Sequence, residues 1–177
     1  MNKNKLEDSL NKLFSNSGYK MVDVSDKNIT HRKALASGEI VLGAEVIKLI
    51  KSKKMPKGDP LSIAEVSGIS GVKKTSELIP LCHPLPLDHI SLHTEINEKK
   101  NSILVYCLVS ANSKTGVEME ALSGVSSALL AIYDLSKIVE PNLKISNTKL
   151  LVKSGGKKGL WINPDGIPDK IKNILKI

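Results

Sequence analysis

"DHISLHTEINEKKNSILVYCLVSA", Asp88 to Ala111, is the stretch on which the fold turns. In its first half Ile90, Leu92, Thr94 and Ile96 point one way, and His89, Ser91, His93 and Glu95 the other. A period of two marks a half-buried strand. "EKKN" turns the chain, and "SILVYCLVSA" returns as the second strand of a hairpin.

Upstream, "HRKALASGEIVL" (His31–Leu42) reads as one strand or two with a break at Gly38. "GAEVIKLIKS" carries a helical stripe at Val46, Ile47 and Ile50. "PLSIAEVSGISGVKKTSEL" reads as the next helix, with Asp59 or Ser62 as its cap and Pro60 in its first turn. Downstream, Val117 to Glu140 reads as a long helix stopped by Pro141, and "LKISNTKLLVKS" as a last strand. The order β-α-α-β-β-α-β predicts an α+β fold: a ferredoxin-like α/β sandwich, its antiparallel sheet carrying helices on one face. The expected organisation is a flexible N-terminal tail over 1–20, a single domain over 21–159 and a C-terminal appendage over 160–177, with a short helix after Pro168.

The chain has 177 residues, a formal charge of +8 and only 3% aromatic residues. The charge favours polyanionic partners such as nucleotides, phosphorylated metabolites or nucleic acid. The scarcity of aromatics argues against a platform for stacking single-stranded bases. The N-terminus lacks the apolar core of a signal peptide, no apolar run is long enough to span a membrane, and two distant cysteines make no disulfide framework. These features predict a cytoplasmic protein.

His89 and His93 have the spacing of a helical zinc pair, but on a strand they stand about 13 Å apart, so no metal site is expected. Cys82 has no well-placed base beside it and reads as a small packing residue. "SGISGVKKTS" lacks the spacing of a phosphate-binding P-loop. "KSGGKKG" (Lys153–Gly159) has consecutive glycines that free backbone N–H groups for an anion, with lysines around them. On the long helix Val125, Leu129, Ile132 and Val139 form one stripe; Ser123, Ser127, Leu130, Asp134 and Lys137 form another. Two such faces imply packing on two sides, against a second helix or a second subunit. Asp134 and Lys137 are then expected to share a partly enclosed face, where each tunes the other as general acid and base. Glu120 lies 14 positions before Asp134, about 21 Å along one helix, so a site that uses both requires another subunit.

Five segments occur in a telling order: "MVDVSDKNITHRKA" (Met21–Ala34), "KGD" (Lys57–Asp59), "KKTSELIPLCHPLPL" (Lys73–Leu87), "KTGVEMEALSGVSSALLAIYDLSK" (Lys114–Lys137) and "LLVKSGGKKG" (Leu150–Gly159). Together they closely resemble the molybdenum cofactor biosynthesis protein C family, over about Met21 to Gly159. Lys158 departs from the pattern, where serine is common. The resemblance implies a ferredoxin-like fold, a homohexamer built as a trimer of dimers, and a lyase, cyclic pyranopterin monophosphate synthase. That enzyme converts 3′,8-cyclo-7,8-dihydro-GTP into cyclic pyranopterin monophosphate and pyrophosphate. Carried over by position, the resemblance implies Asp134, Lys137 and Lys57 as catalytic residues. It implies Leu81, Cys82, His83, Glu118, Met119, Glu120 and Lys153 as substrate-binding residues. It implies no tightly bound cofactor, and leaves Mg²⁺ on the triphosphate open. Neither membrane nor nucleic acid is expected as partner. The rival class is a non-catalytic nucleotide- or RNA-binding module.

Overall fold

A computed structural model describes residues 3–13 and 18–175. Helix α1 spans Lys3–Leu13, with Leu6, Leu10 and Leu13 exposed. The expected order then follows: β1 (Thr30–Val41), α2 (Ala44–Lys51), α3 (Pro60–Lys73), a single turn α4 (Thr75–Leu78), β2 (His89–Asn97), β3 (Ser102–Ser113), α5 (Glu118–Ser136) and β4 (Lys144–Ser154). A two-residue strand β5 (Trp161–Ile162) and helix α6 (Asp169–Leu175) complete the described chain.

The sheet runs β2-β3-β1-β4-β5, and every neighbouring pair is antiparallel. This is the ferredoxin-like order, with β1 and β3 at the centre. The hairpin closes as the alternation predicts: Ile90, Leu92 and Ile96 pack on the main core, whereas His89, Ser91 and His93 are exposed. His93 instead stacks on Tyr106, with ring centroids 6.3 Å apart.

Helices α3 and α5 lie on one face of the sheet. Their core joins Ala34, Ala36 and Ile40 of β1, Val105, Cys107 and Val109 of β3, and Val125, Leu129 and Ile132 of α5. Small residues let the helices meet closely. A methyl on Gly124 would stand 2.6 Å from Val72 Cγ2 and 2.6 Å from Cys107 Sγ. The second side that the serine-rich stripe of α5 implied is therefore α3. The other face of the sheet carries a smaller cluster of Tyr106, Leu151, Val152 and Ile167, on which Ile162 and Ile171 of the C-terminal segment rest.

Two local expectations change. Gly38 does not break the strand; β1 runs through it from Thr30 to Val41. A Cβ there would come 2.7 Å from Leu129 Cδ1 and 2.8 Å from Val125 Cγ1, so the glycine makes room for α5. Helix α5 ends at Ser136 rather than Glu140. Proline at 141 disfavours helical backbone at the residue before it, and the chain leaves through a turn in which Val139 N–H donates to Ser136 O at 3.0 Å. For α3, Asp59 is the cap, its carboxylate accepting from Leu61 N–H at 3.0 Å.

Candidate active site

The predicted catalytic residues meet at the C-terminal end of α5. Lys137 Nζ lies 2.7 Å from Asp134 Oδ1, and Lys57 Nζ lies 3.2 Å from Oδ2. Lys57 also reaches the Asp134 carbonyl at 3.4 Å. It comes from the α2–α3 loop, which is held by buried Met55, by Gly58 N–H donating to Met55 O at 3.2 Å, and by the Asp59 cap that follows. Asp134 and Lys137 sit one helical turn apart and so face the same way.

The two cations act on the carboxylate in a definite order. The hydrogen bond from Lys137, then that from Lys57, holds Asp134 below its ordinary value, while Asp134 raises Lys137. The resting cluster is a carboxylate between two ammonium groups. Such a cluster is poised to grip an anion or hand on a proton when a ligand displaces one contact.

The expected enclosure of this pair is not found within one chain. The side chains of Asp134 and Lys137 are 52% and 53% exposed. Leu130 and Ile138 nearby are also exposed. The serine-rich stripe packs on α3, but that helix leaves the last turn of α5 open.

A second group surrounds the proline loop. Leu85 and Leu87 anchor the loop in the core, Cys82 N–H donates to Ile79 O at 2.9 Å, and Asp88 N–H donates to Ser110 O at 3.0 Å. Prolines at 80, 84 and 86 restrict the backbone between these anchors. His83 and Glu120 line a cleft of about 400 Å³ with Val72, Thr75 and Ile90. Burial raises the Glu120 carboxyl, and the neighbouring Glu118 charge adds to that rise. Burial and then the Glu120 charge push the Cys82 thiol up, which disfavours a nucleophilic thiolate. Leu81 and Met119 are both exposed.

The third group is a basic pocket of about 500 Å³. Glu118 and Lys153 line it and form a 2.8 Å ion pair. Its wall includes Lys27, Arg32, Lys33, Lys114, Lys157 and Lys158, against the acids Asp26 and Glu118. Gly155 and Gly156 both have positive φ, as the glycine-rich turn required. The Arg32 side chain fills the space where a Cβ on Gly156 would go. Arg32 donates to Lys114 O at 3.4 Å, and its Nε is buried with no hydrogen-bond partner among the described residues. A dense cationic wall with an unsatisfied donor suits a polyanion. Lys27, Arg32, Lys33 and Lys114 are site residues that no local sequence pattern assigns. "HRK" at the head of a strand and "KTG" before a helix were the available signals, and only the fold brings them to the glycine turn.

The His83 cleft and the basic pocket both reach the first turn of α5, through Glu120 and Glu118 respectively. The Lys57–Asp134–Lys137 cluster lies at the other end, about 21 Å along the helix by its rise per residue.

Comparison with known proteins gives a consistent result. The MoaC family profile matches residues 21–156. A cyclic pyranopterin monophosphate synthase of Chloroflexus aurantiacus is 45% identical over 145 residues, 82% of this chain and 89% of the relative. The protein of that name from Clostridium perfringens strain SM101 is 48% identical over 147 residues, 82% of this chain and 93% of its own. That of Heliobacterium modesticaldum is 40% identical over 158 residues, 89% and 99% of the two chains.

Proposed function

This chain belongs to the MoaC family, and we propose that it carries the activity its relatives are named for, cyclic pyranopterin monophosphate synthase. It is then a lyase of molybdenum cofactor biosynthesis acting on a small pterin precursor. We assign 3′,8-cyclo-7,8-dihydro-GTP as the substrate, and cyclic pyranopterin monophosphate and pyrophosphate as the products. The observation that carries this reading is the Lys57–Asp134–Lys137 cluster, with contacts of 3.2 and 2.7 Å.

The chemistry has two parts. The purine is opened and rebuilt as a pterin, which moves protons on and off ring nitrogens and hydroxyls. Asp134 and Lys137 are the groups we assign to these transfers, with Lys57 holding the carboxylate. A sugar hydroxyl then attacks the α-phosphate, and the bond to the pyrophosphate oxygen breaks. Lysines and His83 offset the charge that develops in that displacement. Lys153, the glycine turn and the surrounding cations take the phosphate tail; Leu81, Cys82, His83, Met119 and Glu120 frame the rest of the substrate, and Glu118 orients Lys153. Proton transfer and phosphoryl displacement need no tightly bound cofactor. A divalent ion such as Mg²⁺ on the triphosphate would share the charge the lysines already offset.

We further propose that each site is completed by a second copy, in a hexamer built as a trimer of dimers. Two sets of groups about 21 Å apart on one helix cannot touch one small substrate unless a partner brings its opposite end. Exposed Leu130 and Ile138 beside Asp134, and Ile63 and Val66 on α3, offer apolar area for such a contact. Among the described residues no helix is long and apolar enough to cross a membrane. Two free thiols, Cys82 and Cys107, fit the reducing cytoplasm, which we take as its location.

The direct test is incubation with purified cyclised GTP precursor, with assay of pyrophosphate and of the fluorescent pterin oxidation product. Both are expected. Their absence with correctly folded protein, together with tight RNA binding, would instead establish the non-catalytic module.

A further inference from the structure

The segment beyond the family match, which ends at residue 156, has a place in the anion site. The turn carrying Gly155, Gly156 and Lys157 is the connection of a hairpin: Trp161 returns opposite Lys153, and Ile162 opposite Val152. Two paired residues alone are a weak fastening.

Asn163 completes it. Its backbone N–H donates to Leu151 O at 2.8 Å, and its side-chain Nδ2 donates to Leu150 O at 2.8 Å. Its Oδ1 accepts from Asp165 N–H at 2.9 Å, and its carbonyl accepts from Gly166 N–H at 3.0 Å. Leu150 and Leu151 are where β4 is irregular. Against β1 the register slips there, from Ala36↔Leu150 to Leu35↔Val152, leaving Leu151 as the extra residue. Bulged residues leave backbone groups outside the regular ladder, and Asn163 bonds both carbonyls at this point. Ile162 and Ile167 pack on Tyr106 and Leu151 behind it.

We propose that Asn163 is a positioning residue for the anion site. By tying the return limb of the hairpin to the bulge in β4, it holds Lys153 and the glycine turn in the conformation that receives a di- or triphosphate. The inference rests on the anion-binding role proposed above for that turn. It assigns Asn163 no contact with the reacting atoms.

The test uses the full chain and inorganic pyrophosphate as probe. Asn163→Asp removes the Nδ2 donor but keeps the Oδ1 that caps Asp165. Loss of one such bond is expected to weaken pyrophosphate binding roughly five- to tenfold. KM for the cyclised precursor should rise in parallel, with kcat within about twofold. Lys170→Ala, on the same segment as Asn163, cuts a 2.9 Å pair with Glu95 of β2 and should leave all three unchanged. Unchanged pyrophosphate affinity in folded Asn163→Asp, or a fall in kcat at constant KM, would overturn the proposal. Hydrogen exchange on the unaltered chain gives an independent measure. Saturating pyrophosphate should slow exchange at 161–163 as well as at 155–159, and protection confined to 155–159 overturns the idea. If the unaltered chain binds pyrophosphate in an Asn163-dependent way yet turns over no precursor, the enzymatic assignment fails and this one stands.

Discussion

Lys57 Nζ lies 3.2 Å from Asp134 Oδ2, across 77 residues of sequence. With Lys137 on the other oxygen, Asp134 is gripped from both sides, and its carboxyl is held below the ordinary 3.8. A lowered carboxyl keeps its charge at ordinary pH and loses it only as the pH falls through the lowered value. Carboxyl NMR should therefore place the Asp134 midpoint below 3.8. Lys137→Ala should move it up further than Lys57→Ala, since the Lys137 bond is the larger cause. Lys137→Ala should also lower kcat for pyrophosphate release by about 10²–10⁴, the usual range for a lost general acid or base. Binding of a nucleotide analogue should survive. Comparable turnover by this variant would remove Lys137 from the mechanism.

Glu118 restrains the charge of the basic pocket by pairing with Lys153 at 2.8 Å, with both side chains about two-thirds shielded. Glu118→Gln frees that ammonium and removes a negative charge from the pocket wall. Pyrophosphate should then bind roughly three- to tenfold tighter at low salt, and the gain should shrink as salt rises. Titration calorimetry at two ionic strengths measures both effects. Weaker binding at low salt would mean that Glu118 organises the pocket more than it opposes the anion.

A site shared between copies has a distinctive genetic signature. Asp134→Asn and His83→Ala damage opposite ends of α5, and each homo-oligomer should be inactive. Co-expressed chains form mixed dimers in which one of the two sites is intact. Random pairing then restores about a quarter of the unaltered activity. No recovery in verified mixed oligomers would place the whole site in one chain.

The hairpin and the two-faced helix were legible because burial imposes a period on the residues that make them. Ile90, Leu92 and Ile96 alternate, and Val125, Leu129 and Ile132 recur at helical spacing, whatever lies across from them. Gly38 was misread because a glycine inside a strand looks the same whether it breaks the strand or admits a helix. Its meaning depends on Leu129, far away in sequence. Arg32 was missed for a similar reason. One basic residue near the head of a strand carries no signal until the glycine turn is folded against it. The openness of Asp134 was hidden because its stripe of small residues correctly announced a second packed side, without showing how far along the helix that packing extends.

The fit at Gly38 can be measured directly. Gly38→Ala places a methyl 2.7 Å from Leu129 Cδ1, 2.8 Å from Val125 Cγ1 and 3.0 Å from Thr148 Oγ1. Overpacking of this kind costs about 1–3 kcal/mol. For a chain of this size that is a fall in Tm of roughly 3–10 °C. Position 38 lies five residues along β1 from Lys33, the nearest residue of that strand in the basic pocket, so pyrophosphate affinity below the transition should be preserved. An unchanged Tm would mean that α5 can move away from the sheet at little cost.

Cys82 sits beside His83 and invites a nucleophilic reading that its surroundings oppose. Burial is the larger cause raising its thiol, and the Glu120 charge raises it further. Cys107 is buried in the core and pushed up to about 12. A thiol raised this way stays protonated through neutral pH, and its thiolate fraction grows only as the pH climbs past the ordinary value of 9.0. Iodoacetamide at neutral pH should thus label Cys82 slowly and Cys107 not at all in folded protein. Cys82→Ser should keep kcat within about threefold, because packing and the Ile79 backbone bond survive the exchange of sulfur for oxygen. A loss of 10³-fold or more with substrate still bound would restore covalent catalysis at Cys82. It would also demand a base near that sulfur, and His83, its neighbour in the same stiff loop, would be the first residue to test.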